Sequence, residues 1–182
     1  MKKVLVPLAP GFEELEAITI IDLLRRAAID VTVAGLVEGP VTGSRGTRIL
    51  PDTPLGSAVD SDYDMIVLPG GLPGADNLNS DNHIHDVLQQ MSAKGKYIAA
   101  ICAAPKVLAS AGLLDNKNMT SYPGSLSGMT VAGMRNTGED IVIDGEVITS
   151  RGPGTAMDFS LQLIQILAGE KIRKQVEDGL QR

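Results

Sequence analysis

Short apolar runs of strand length alternate along this chain with amphipathic stretches of helix length, and few folds can satisfy that rhythm. KVLVPL (Lys3–Leu8), DVTVAGL (Asp30–Leu36), MIVL (Met65–Leu68) and YIAAI (Tyr97–Ile101) are apolar almost throughout, as strands covered on both faces are. Helices are predicted over Glu13–Ala28, Asn82–Lys94, Gly154–Leu167 and Glu170–Leu180, with a shorter one from Pro105 to about Ala111 because proline suits a first turn. Such a chain is α/β, with a mostly parallel central sheet and helices on both faces. VEGPVTGSRGTRILPD reads as a hairpin excursion, and IVIDGEVITS as a hairpin around Asp144–Gly145. MTSYPGSLSGMTVAG looks irregular with short strand material, and MIVL runs into a Gly-rich turn. With 182 residues and no linker or repeat, one domain over 1–182 is expected.

Composition removes several classes of function. The net charge is −6, basic residues are scattered, and aromatics make up 3%. That leaves neither a basic track for a phosphate backbone nor rings for stacking bases, so nucleic acid is a poor primary partner. No apolar run approaches the ~20 residues of a membrane span. MKKVLVPLAPGFEE opens with two lysines before an apolar run, but the run is short, holds Pro7 and gives way to acids. It reads as a first strand rather than a signal peptide. A single cysteine cannot form an internal disulfide, which fits a reducing compartment, and the cytoplasm is expected.

In open α/β sheets, ligands bind beyond the carboxyl ends of the strands. Four turns meet that description: APGFEELE, LPGGLPGAD, ICAAP and TSRGPGTA. The lone thiol, Cys102, lies in the third, at a strand-to-helix elbow of the kind that projects a nucleophile. A helix N-terminus there would favour the thiolate and lower its pKa. The alternative is a small buried hydrophobe, the usual lot of a free cysteine. In the first predicted helix, ~100° per residue places Glu16 between Leu23 and Ala27, on the stripe with Ile20 and Leu24 that should face the sheet. A carboxylate there is costly unless hydrogen-bonded or protonated, so Glu16 reads as an acid poised by burial. Glu13 and Glu14 read as helix-start charges. Gly71 could supply a backbone donor to an oxyanion, although GGLPGAD is also simply a tight turn. His83 and His85 form an HIH pair that reads as an exposed helix start rather than a metal site, and no metal is expected. Arg45 and Arg151 could hold anionic groups or serve structure. The first βα turn lacks the dinucleotide glycines, and no cofactor is expected.

Taken together, PGFEELE, DMIVLPGG, AAICAAP and TSRGPGTAMDF resemble the ThiJ/PfpI superfamily, in particular the branch of the parkinsonism-associated deglycase and its bacterial YajL-type relatives. The resemblance spans essentially the whole chain. It implies a flavodoxin-like sandwich that forms a homodimer. It also implies a nucleophilic, oxidation-sensitive cysteine at Cys102, a glutamate partner at Glu16, and oxyanion donors at Gly71 and Cys102 or Ala103. Arg45 takes the place of an arginine that approaches the site across the dimer interface. Where some members carry a histidine before a proline, this chain has Tyr122–Pro123, which weakens a Cys–His hydrolase reading.

Three functions are then in view. The first is cofactor-free conversion of reactive dicarbonyls or their protein adducts, of glyoxalase III or deglycase type. The second is a non-enzymatic oxidative-stress sensor or chaperone built on an oxidisable cysteine. The third and weakest is an amidase or peptidase. Small reactive carbonyls or modified proteins are the expected partners, with Arg45, Tyr122 and Arg151 as substrate or interface residues.

Overall fold

Strand β1 (Lys3–Leu8) lies inside the sheet because every residue after Lys3 is buried, so its backbone needs a strand on each side. The computed structural model, which describes residues 1–181, supplies both. Helix α1 (Glu14–Arg26) leads to β2 (Asp30–Gly35), parallel to β1 along six residues. The excursion that follows contains the predicted hairpin, β3 (Val41–Thr42) with β4 (Arg48–Ile49), then the edge strand β5 (Thr53–Pro54) and the short helix α2 (Leu55–Ala58). The chain returns as β6 (Met65–Leu68) on the opposite side of β1. Helices α3 (Gly74–Ser80) and α4 (Asn82–Ala93), strand β7 (Tyr97–Ile101) and helix α5 (Pro105–Ser110) follow. A short parallel pair, β8 (Asn118–Met119) with β9 (Arg135–Asn136), precedes the hairpin β10 (Ile141–Asp144) and β11 (Val147–Ser150). Helices α6 (Ala156–Ala168) and α7 (Glu170–Gly179) close the chain.

The main sheet runs β10-β11-β7-β6-β1-β2-β5, and only β10 is antiparallel to its neighbour. This is the expected α/β sandwich, with flavodoxin-like strand order. Alternation along the strands sorts the core into two layers. Val4, Val6, Leu8, Val67 and Ile101 face α1 and α6, where Ile20, Leu24, Phe159 and Ile164 pack. Leu5, Ile66, Leu68, Ile98 and Ala100 face α4 and α5, where Ile84, Leu88, Val107 and Leu108 pack. Each fully buried Leu, Ile or Phe contributes about 1.5–3 kcal/mol.

The structure extends the sequence reading at one turn. Downstream of the GG of LPGGLPGAD, Gly74–Ser80 form α3, whose Ala75 and Leu78 are buried. Leu55–Ala58 likewise makes one helical turn, with Leu55 and Ala58 buried. Both are too short for a period to show in sequence. Asp81 then starts α4, its side chain accepting from the N–H groups of His83 and Ile84, a standard way to satisfy a helix's free donors.

From β1 the chain winds first toward β2, then returns to the other side at β6. The loops after β1 and β6 therefore lead to helices on opposite faces and leave a crevice between them, the switch point where ligands bind in such sheets. No described helix is long and apolar enough to cross a membrane.

Candidate active site

The crevice is assembled from loops stitched together by backbone bonds. The Glu13 N–H donates to Gly70 O (2.9 Å), the Gly74 N–H to Gly11 O (3.1 Å) and the Gly11 N–H to Thr42 O (2.8 Å). Such close approach depends on glycine. A Cβ on Gly71, whose φ is +91°, would strike the backbone of Gly11, Phe12 and Glu13.

Glu16 projects from α1 into this crevice and has no exposed surface. Its Oε2 accepts from the Gly70 N–H at 2.7 Å. Among the described residues no aligned donor reaches Oε1. A proton on that oxygen removes the orphaned acceptor and makes the carboxyl a donor. Burial pushes the Glu16 pKa up to about 7, against the lowering effect of hydrogen bonds with Cys102 and the Gly70 N–H, and the nearby charge of Glu13 adds to the rise.

Cys102 follows β7 directly. Its N–H donates to Ser150 O (2.9 Å), and its carbonyl accepts from the Tyr122 N–H (2.8 Å). Held from both sides, it adopts φ +63°, a left-handed conformation that costs a non-glycine residue of order 1–3 kcal/mol. Cys102 is 8% exposed; its thiol hydrogen-bonds with the Glu16 carboxyl, while the N–H groups of Gly71 and Ala103 are directed at it. The expected lowering of its pKa by a helix terminus is corrected. Burial first, then the charge and hydrogen bond of Glu16, push the thiol up to about 12 in spite of those two donors. Helix α5 has only six residues, and its few aligned peptides do not outweigh desolvation. The two groups titrate as a pair. From about pH 7 to about pH 12 they hold one proton between them, and passage of that proton from sulfur to carboxylate yields the thiolate.

Gly70 leaves room for this contact. A Cβ there would lie 2.7 Å from Cys102 Cβ and 2.8 Å from both Glu16 Oε2 and Ile101 O. Gly70→Ala is expected to destabilise the protein by about 1–3 kcal/mol through overpacking and to alter the titration of the pair. Chemical denaturation and thiol titration of the variant check both.

The thiol opens on a cavity of about 320 Å3 lined by Glu13, Ser44, Arg45, Gly71, Leu72, Cys102, Ala103, Tyr122 and Pro153. All four turns singled out in the sequence meet there. Arg45 lines the cavity of its own chain. Its loop is clamped by Glu14, which accepts from the N–H groups of Arg45 (2.8 Å) and Thr47 (3.1 Å). Burial opposes the Glu14 charge, but backbone donors, including those two, and the Ser44 hydroxyl outweigh it and hold the carboxyl below its ordinary pKa. Arg151 sits outside this cavity, in an adjoining one of about 450 Å3, ion-paired with Asp140.

Four cavity residues escaped sequence reasoning, Leu72 and Pro153 and two polar ones. Glu13, read as a helix-start charge, faces the cavity and accepts from the Ser44 hydroxyl at 3.1 Å. Ser44 arrives from the hairpin loop, with no local signal of its own. Neither histidine lines the cavity. His83 pairs with Asp81, and His85 Nε2 lies 2.8 Å from Asn79 O. Among the described residues no group of three or more His, Cys, Asp or Glu comes together to hold a metal.

Comparison with known proteins agrees with this architecture. The sequence profile of the DJ-1/PfpI family matches residues 2–166. Protein dj-1beta of Drosophila melanogaster is 45% identical over 98% of this chain and 96% of its own, and its crystal structure superposes with a TM-score of 0.92, covering 98% and 97% of the two chains. The oxidized form of Toxoplasma gondii DJ-1 superposes at 0.93 with 37% identity, over 99% and 98%. The glutathione-independent glyoxalase DJR-1.2 of Caenorhabditis elegans is 36% identical over 92% of this chain and 90% of its own. With relatives matched nearly end to end and the same fold in their structures, the chain belongs to the DJ-1/PfpI family.

Proposed function

We propose that this protein is a cofactor-independent glyoxalase, converting small 2-oxoaldehydes such as methylglyoxal, free or released from protein adducts, into hydroxy acids. The observation that carries the reading is the buried pair: one thiol and one carboxyl hydrogen-bonded together, two backbone N–H groups directed at the sulfur, and a cavity in front of it. The relative named as a glutathione-independent glyoxalase supports the same chemistry.

The chemistry balances without an added oxidant or reductant. Sulfur of Cys102 adds to the aldehyde carbon as its proton passes to the Glu16 carboxylate. The oxygen of the resulting hemithioacetal develops negative charge within reach of the Gly71 and Ala103 N–H groups, then takes the proton from Glu16. The carboxylate next removes the hydrogen on the former aldehyde carbon, giving an enediolate, and returns it to the neighbouring carbon, while the hydroxyl proton passes from the first oxygen to the second. The product of that shift is a thioester, and water hydrolyses it to the hydroxy acid and the free thiol. Burial suits Glu16 to this double duty, because a carboxyl that titrates near 7 both accepts and gives a proton near neutral pH.

Incubation of fully reduced protein with methylglyoxal, without glutathione, is expected to yield lactate. Failure to form it above the buffer rate, with the protein folded and its thiol titratable, overturns this reading in favour of an oxidation sensor, for which the same N–H groups would hold a sulfinate. The proposed assembly is a homodimer. Leu15, Ile18 and Leu50 are 53%, 46% and 72% exposed, and Ile18 and Leu50 line a cavity with Ile21 and Ile49, edged by Asp22 and the Arg25–Asp52 ion pair. A second copy would cover this patch.

A further inference from the structure

We infer that Tyr122 sets the size of the electrophile that reaches Cys102. Tyr122 lines both the reactive cavity of about 320 Å3 and the adjoining cavity of about 450 Å3, and the two cavities share only Tyr122 and Pro153 among their lining residues. The identity of the electrophile as a 2-oxoaldehyde rests on the function proposed above; the size limit itself does not.

Three observations place the ring in this role. The Tyr122 N–H donates to the carbonyl of Cys102 at 2.8 Å, so the residue is tied to the nucleophile's own backbone and keeps its station beside it. The residue is 52% exposed, so it stands at the surface of the cavities and is not packed into the core, where removing it would collapse the fold. Gly152 lies beneath the ring: a Cβ there would come within 3.4 Å of Tyr122 Cδ2. No side chain rises from Gly152 against the aromatic edge, so on this inference removal of the ring opens one cavity to the other.

The far cavity differs in character from the near one. Asp140 and Arg151 line it as an ion pair, with the Arg151 guanidinium also donating to Gly138 O at 3.1 Å. Its floor is pinned by the Thr155 hydroxyl, which donates to Gly152 O and lies 2.6 Å from the Ser150 hydroxyl. With Tyr122 in place, a short aldehyde fits the near cavity alone. With the ring gone, the tail of a longer one has a preformed, partly polar volume to enter.

The test separates this inference from the glyoxalase reading by using alkylation, which needs the thiol but no turnover. Rate constants for Cys102 with iodoacetamide and with its bulkier phenyl analogue, iodoacetanilide, are measured by mass spectrometry in wild type, Tyr122→Phe and Tyr122→Ala. The ratio of bulky to small is expected to rise about tenfold or more in Tyr122→Ala and to stay near wild type in Tyr122→Phe, which keeps the ring. The kcat/KM ratio of a hexyl-bearing 2-oxoaldehyde to methylglyoxal should move the same way. An alkylation ratio for Tyr122→Ala within twofold of wild type, or an equal rise in Tyr122→Phe, overturns the inference. Absence of turnover with an altered alkylation ratio overturns the proposed substrate and leaves the partition standing.

Discussion

Cys102→Ser is expected to abolish lactate formation from methylglyoxal, lowering turnover by roughly three orders of magnitude or more. The substitution leaves the elbow intact in size and shape, so the backbone at φ +63° and its bonds to Ser150 and Tyr122 persist. What changes is the atom that attacks. A serine hydroxyl must surrender its proton to Glu16 before it can add to the aldehyde, and it is far less willing than a thiol. The Gly71 and Ala103 donors remain, yet with no covalent adduct there is no oxyanion for them to stabilise. Lactate assays alongside thermal unfolding distinguish lost chemistry from lost fold. Wild-type turnover surviving in a folded serine variant would remove Cys102 from the mechanism.

The second large effect is expected at Glu16. Glu16→Gln keeps an acceptor for the Gly70 N–H but removes the group that takes the thiol proton and carries the hydrogen between carbons. Turnover should fall by about 10²–10⁴, the usual contribution of a positioned general base. The wild-type rate should rise with pH through the titration near 7, and that rise should vanish in the variant. Stability should respond in the opposite sense. A glutamate in the unfolded chain ionises near 4.5, whereas burial raises Glu16 to about 7 in the fold. Between these values the native state holds a proton that the unfolded state has released, so unfolding free energy declines as pH rises through the window. The full decline is about 3 kcal/mol. It does not depend on which partner of the pair keeps the last proton, because linkage counts protons and not their addresses. Glu16→Gln lacks this decline, so urea denaturation at pH 4.5 and pH 8 should show the variant gaining on wild type by about that amount. Parallel pH profiles of stability for the two proteins would show that Glu16 is already ionised in the folded protein at acidic pH.

Much of this arrangement is legible in the chain because it is local. Short, nearly continuous apolar runs identify the strands, and a period of 3.6 places Glu16 on the inward stripe of α1 with Ile20 and Leu24. The placement of Cys102 at an elbow follows from IAAI running into AAP. The mostly parallel direction of the strands follows too, since parallel neighbours need crossovers long enough to hold a helix; their order in the sheet does not. The short helices Leu55–Ala58 and Gly74–Ser80 are not legible, because one or two turns are too few for periodicity to declare itself and packing decides them.

The tertiary structure alone decided what depends on distance between segments far apart in sequence. Ser44 from the hairpin and Tyr122 from the irregular stretch line the same cavity as Cys102, and Glu13 lines it too, accepting from the Ser44 hydroxyl. Arg151, which reads much like Arg45 in sequence, is taken up by Asp140 in the neighbouring cavity. The titration of the thiol is the sharpest case. From the sequence, an elbow and a helix start imply a lowered pKa; in the fold, burial first and then the carboxyl across the crevice reverse it. Periodicity is written in each segment by the geometry of its own backbone. Desolvation and charge pairing belong to no single segment, and they take their sign only when the loops after β1, β6 and β7 have met.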